Sequence, residues 1–175
     1  MPRGISVHVG VNEVDPAHYG GKMPLKACES DAKAMKKIAD SREFESAILL
    51  TKDATADNVT AAIERAANEL DTGDVFFLTY AGHGGQVPDK NNDEDDRSDE
   101  TWVLYDRQLV DDELYALWAR FRPGVRIVVL SDSCHSGSVV RRIDDAVPDP
   151  VATLEEAEKQ SPRYRALPRD VMIAT

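Results

Sequence analysis

The chain has only two cysteines, Cys28 and Cys134. So few thiols exclude a disulfide framework and point to a reducing, cytoplasmic setting. Basic residues are also in deficit, 21 against 32 acidic, for a formal net charge of −11. That balance argues against a nucleic-acid binder, which needs a basic face, and favours cationic partners or substrates. No apolar run approaches the roughly 18 residues of a membrane span. The opening MPRGISVHVGVN lacks both the apolar stretch and the cleavage site of a signal peptide and reads as the start of a strand. What is present is 42% hydrophobic residues in 175, enough for the core of one domain.

Strand and helix patterns alternate along the chain. ISVHVGV (5–11), AILLT (47–51), VFFLTY (75–80), TWVLY (101–105) and VRIVVLS (125–131) read as strands. Helical spacing covers about 29–39, 59–70 and 114–121, the last opened by Asp111 and Asp112 and broken by Pro123-Gly124. HYGGKMPL and the polar stretch 86–100 read as loops. A weak helix over 153–160 follows a Pro- and Asp-rich linker, and VMIAT resembles the first half of another strand. Such alternation implies parallel βαβ units, an α/β fold. Ligands in these folds bind at the carboxyl ends of the strands.

Two unusual peptides stand at such ends, YAGHGG (80–85) and SDSCHSG (131–137). Cys134 follows His83 by 51 residues. A nucleophilic thiol needs a neighbour that raises its thiolate fraction, and a histidine on the next strand end can supply it. Glycines around His83 let a substrate backbone approach and leave N–H groups free to donate. The N–H groups of Gly84 and Cys134 are the candidates for an oxyanion hole. Alone, a cysteine is more often a buried hydrophobe, and His83 could be an ordinary loop residue. Their pairing after two buried strands favours catalysis. Adjacent Cys134 and His135 are poorly spaced for zinc.

YAGHGGQ and DSCHSG, with LKACESDAKAM (25–35) and DETWVLYD (99–106), resemble the metacaspases among the caspase-like cysteine peptidases. The resemblance spans about residues 4–140, and the interval of roughly 50 between His and Cys is one known from caspases. It implies a caspase-like three-layer sandwich, with a mostly parallel central sheet and helices on both faces. Residues 1–142 would form the catalytic large-subunit region and 143–170 a linker with processing sites. Residues 171–175 would begin a small-subunit strand. By resemblance Cys134 is the nucleophile and His83 the general base, with cleavage after Arg or Lys. Asp31 and Asp132 would converge on one pocket and bind a guanidinium through charge-assisted hydrogen bonds.

The chemistry itself needs no cofactor. The resemblance implies calcium ligands at Asp99, Asp111 and Asp112, hard oxygen donors of the kind that ion takes, although Arg141 stands where some relatives carry an acid. Ala81 replaces a serine common among relatives. Arg163, Arg165 and Arg169 offer basic sites at which such a peptidase could cut itself. Expected partners are peptides with basic cleavage sites and a small-subunit chain or C-terminal remainder, with neither nucleic acid nor membrane. The competing expectation is a catalytically silent binding module of the same fold. Ligation through the same acyl-enzyme stays open.

Overall fold

A computed structural model describes residues 2–88, 98–133 and 172–174. Five parallel strands form the central sheet: β1 (Gly4–Gly10), β2 (Glu45–Leu50), β3 (Val75–Ala81), β7 (Arg126–Asp132) and β8 (Met172–Ala174). Their order is β2-β1-β3-β7-β8, every neighbouring pair parallel. A second sheet, antiparallel, orders β4 (Gly84–Pro88), β5 (Ser98–Val103) and β6 (Gln108–Val110).

The helices are α1 (Pro16–Tyr19), α2 (Cys28–Asp40), α3 (Ala56–Glu69) and α4 (Asp111–Trp118). Alternation along β1 assigns the faces. Ile5, Val7 and Val9 point to one side and join Val59, Ile63 and Ala66 of α3 and Leu117 and Trp118 of α4 in the core. Ser6, His8 and Gly10 point to the other side, where α2 packs on β1 and β2. A Cβ on Gly10 would strike the main-chain carbonyl of Cys28 and lie 2.9 Å from Ala32 Cβ, so only glycine lets α2 sit this close. Three layers result: α2, the sheet, then α3 with α4.

Helix starts are fixed by side-chain oxygens that accept the first free N–H groups. Thr55 Oγ1 accepts from Asn58 N (3.2 Å), and Asp106 Oδ1 accepts from Ala56 N (2.8 Å). Asp106 thereby ties the DETWVLYD stretch to α3. In α4 the buried Glu113 carboxylate takes Val110 N (3.1 Å) and pairs with Arg107 through two 2.9 Å bonds. A bidentate pair this sheltered resists solvent competition better than a surface pair.

The structure revises several boundaries. Residues 86–88 and 98–100, expected as loop, are paired strand of the second sheet. Their polar sequence hid this, because antiparallel pairing is a main-chain interaction. The third main helix ends at Trp118, not at position 121. Residues 172–174 do form a strand, beside β7. The linker and its weak helix at 153–160 lie outside the described residues.

Candidate active site

β3 and β7 run side by side in register, with Ala81 opposite Asp132. Gly82 N donates to Asp132 O (3.3 Å) as the strands end. His83 therefore leaves the sheet next to the peptide that leads into Cys134. Cys134 itself, with His135 and Arg141, lies outside the described residues.

His83 is half-buried, and its Nε2 lies 2.9 Å from the carbonyl of Met23. A carbonyl only accepts, so Nε2 carries a proton, and in the neutral ring Nδ1 is the nitrogen with the lone pair. Met23 holds that carbonyl in place from a left-handed backbone, φ 42°. The carbonyl of His83 is also held, by Val103 N (3.0 Å) and by the Tyr80 hydroxyl (2.7 Å). Both ends of the residue are thus pinned. Gly84, the first residue of β4, is buried and lies opposite Trp102.

Tyr80 is completely buried, and that burial drives its hydroxyl pKa well above the usual tyrosine value. It is a neutral donor at any physiological pH. A Cβ on Gly82 would run into this hydroxyl, 2.7 Å from Tyr80 Cζ. Glycine is needed there because the loop folds back over the tyrosine.

On the α2 side of the sheet an open cleft of about 250 Å³ lies between α2 and β7. Asp31 and Asp132 both line it, with Met35, Thr79 and Leu130 between them. Both carboxylates are exposed. The structure therefore brings together the two acids singled out in the sequence, one from the first turn of a helix and one from a strand end. The walls between them are mostly apolar, suited to the methylene stem of a long cationic side chain.

The proposed calcium ligands fall elsewhere. Asp111 and Asp112 open α4, with Asp111 Oδ1 accepting from Asp112 N (2.9 Å). Asp99 belongs to β5, and its side chain lies outside the described residues. Thr101 pairs with Val110, so the β5 segment carrying Asp99 and Glu100 runs alongside the start of α4. Among the described residues, no group of three His, Cys, Asp or Glu side chains gathers to hold a metal.

The family model of the metacaspase, peptidase C14 domain matches residues 6–142. The chain belongs to the metacaspase family. Metacaspase-1A of Aspergillus fumigatus is 35% identical over 147 residues, which cover 75% of this chain and 34% of the relative. Metacaspase-1 of Emericella nidulans is 33% identical over the same length, 35% of that protein. This metacaspase chain thus spans about a third of the curated relatives it matches. A crystal structure of a Geobacter sulfurreducens protein is 50% identical, with a TM-score of 0.73, covering 91% of this chain and 63% of that one. The layered parallel sheet is the caspase-like α/β sandwich of the family. No helix among the described residues is long and apolar enough to cross a membrane.

Three features beside the candidate site escaped the sequence reading. The Met23 carbonyl is main chain and leaves no side-chain signature. Tyr80 and Trp102 stand inside YAGHGG and DETWVLYD, motifs that give them no role of their own, although buried tyrosine and tryptophan usually seek a partner for their polar atom.

Proposed function

We propose that the chain carries the catalytic machinery of a cysteine endopeptidase that cleaves after Arg or Lys. The observation that carries this reading is the cleft lined by Asp31 and Asp132, opening where β3 and β7 lead into His83 and Cys134. A guanidinium bonded to those carboxylates would put the next carbonyl near the strand ends.

His83 Nδ1 takes the thiol proton of Cys134. The thiolate sulfur attacks the carbonyl carbon, and the N–H groups of Gly84 and Cys134 receive the developing oxyanion. The C–N bond breaks as His83 returns the proton to the leaving amine. Water, deprotonated by the same ring, then attacks the thioester and releases the acid and the thiol. The Met23 carbonyl keeps the ring in the tautomer that this sequence requires.

Calcium is a proposed regulator with no step in this chemistry. Asp99, Asp111 and Asp112 are the donors, and the run of β5 beside α4 supports them. Bound there, the ion would neutralise their mutual repulsion. Isothermal titration of calcium, repeated with Asp111→Asn, tests it; heat unchanged by the substitution would sink it. Self-cutting at Arg163, Arg165 or Arg169 is a further proposal, and an unchanged mass after long incubation of active enzyme would refute it. The partner expected on the sheet is a small-subunit segment. Val128 of β7, 38% exposed, leaves apolar surface for it. A free thiol nucleophile favours the reducing cytoplasm as the place of action.

The deciding experiment pairs fluorogenic peptides ending in Arg and in Asp, with and without calcium, for wild type and Cys134→Ala. Cleavage of the Arg peptide alone, lost in the variant, is the expected result. Peptide binding without turnover in wild type would favour the silent binding module instead. Cleavage of the Asp peptide would reverse the pocket assignment.

A further inference from the structure

The ends of β3 and β7 are joined by a buried chain of contacts that the roles above leave unexplained. The Tyr80 ring lies flat on the Trp102 indole, centroids 4.5 Å apart and planes 7° from parallel. The Tyr80 hydroxyl donates to the His83 carbonyl at 2.7 Å and lies 3.1 Å from that of Val103. On its other side the indole Nε1–H donates to Ser131 Oγ (3.1 Å), which in turn lies 3.1 Å from Ser133 Oγ. Ser133 immediately precedes Cys134.

Ser131 interrupts an apolar pattern. Ile127 and Val129, on the same face of β7, are buried hydrophobics, and Ser131 follows at the next inward position with 9% exposure. A buried hydroxyl there needs partners, and so does a buried indole N–H. Each satisfies the other. The tie sits near the end of the main-chain ladder, where Tyr80 stands opposite Ser131, one residue before the long Gly82–Asp132 bond. The Trp102 side chain of β5 adds a second link between the two strand ends.

We propose that Trp102 is a positioning residue, which stacks on Tyr80 and bonds Ser131 to fix the His83 loop relative to the peptide entering Cys134. The inference rests on the cysteine-peptidase reading. In this role Trp102 acts through its two neighbours, Tyr80 and Ser131. The demand it meets is one of distance. A general base works within about 2.6–3.2 Å of the atom it deprotonates, and a misplacement of about 1 Å costs on the order of 10²-fold.

The test compares Trp102→Phe, Ser131→Ala, their double variant and Ser131→Thr with wild type. Trp102→Phe keeps an aromatic ring against Tyr80 and removes the donor, along with part of the buried indole, whose packing loss the Tm reads. The first readout is the pH profile of Cys134 alkylation by iodoacetamide, assigned by peptide mass so that Cys28 is not counted. The others are kcat on the Arg peptide and the Tm. Wild-type Cys134 is expected to alkylate with a midpoint below the roughly 8.5 of a free thiol. Trp102→Phe and Ser131→Ala should each move the midpoint up by about one pH unit and lower kcat about tenfold. The double variant should be no worse than the more affected single, because one bond is lost in all three. Ser131→Thr should restore the wild-type profile.

A lowered Tm with an unchanged alkylation profile would overturn the proposal and leave Trp102 as packing. If wild-type Cys134 alkylates like an ordinary thiol and turns nothing over, the peptidase reading fails and the inference falls with it. An activated wild-type thiol with variants that match it removes the inference alone.

Discussion

His83 presents its Nε2–H to the main-chain carbonyl of Met23 at 2.9 Å. The acceptor comes from a residue with φ 42°, a backbone that costs a side-chain-bearing residue about 1–3 kcal/mol. Two substitutions separate the strain from the bond. Met23→Gly adopts that φ freely, so the carbonyl stays and kcat should hold within about twofold, because transition-state contacts are untouched. Met23→Pro is locked near φ −65° and must withdraw the carbonyl. Its kcat should fall roughly 10²-fold. Equal activity of the two variants, measured on the Arg peptide, would show that the ring needs no such support.

Gly82 closes over Tyr80 with no room for a methyl group. The hydroxyl cannot yield cheaply, since the His83 carbonyl holds it. Gly82→Ala is therefore expected to destabilise by about 1–3 kcal/mol, the usual range for overpacking, and to displace His83 with it. Gly21 gives the contrast, because a Cβ there meets nothing within 4 Å. Gly21→Ala should stay within about 0.5 kcal/mol of wild type. Urea unfolding of both variants checks the pair, and equal stabilities would refute the close-packing argument.

What the sequence disclosed depended on where the information sits. VFFLTY and VRIVVLS announced themselves as continuous apolar runs, the pattern of strands covered on both faces, although in β7 only alternate residues are buried and Val128 is exposed. The rule that ligands bind at strand ends then drew attention to His83 and to the peptide before Cys134. β4 and β6 stayed hidden, since GGQVP and QLV are short and partly polar. Gly85, which lies against the side chains of Thr101 in β5 and Gln108 in β6, is there for close approach, a contact that no local pattern encodes. The meeting of Asp31 and Asp132 came from resemblance, because 101 positions of chain separate two residues that only the α2–β7 cleft brings together. His8 was read as one letter of an alternating strand, with no hint of its partners.

The cleft sets a substrate expectation. Asp31→Asn and Asp132→Asn preserve shape and remove charge. A hydrogen bond to a charged group contributes about 1.5–3 kcal/mol, so each should lower kcat/KM for an Arg peptide by roughly 10–10²-fold. A citrulline peptide, similar in shape and neutral, should be little affected by either change. Parallel losses on both peptides would mean that the carboxylates support the fold and do not read charge.

His8 is fully buried in β1, with Nδ1 at 2.9 Å from Thr79 Oγ1 and Nε2 at 3.0 Å from Ser6 Oγ. Ser6 in turn donates to Ser46 Oγ (2.9 Å), so a polar line crosses β2, β1 and β3 beneath α2. Burial pushes the imidazole pKa down to about 4, with the charge of Asp40 opposing the shift and that of Lys36 adding to it. An unfolded histidine titrates near 6.5. Between those values the unfolded chain holds a proton that the native chain refuses, so stability must fall as pH drops from about 6.5 toward 4. Above that window the neutral ring costs nothing; below it both states are protonated and the slope vanishes. The loss should reach roughly 2–3 kcal/mol at pH 4.5 relative to pH 7.5. His8→Val keeps every carboxylate and removes this titration; it also takes a partner from Thr79 and Ser6, a loss common to both pH values. Urea unfolding of both proteins at the two pH values isolates the histidine, and equal losses would mean that the native core accepts the proton without penalty.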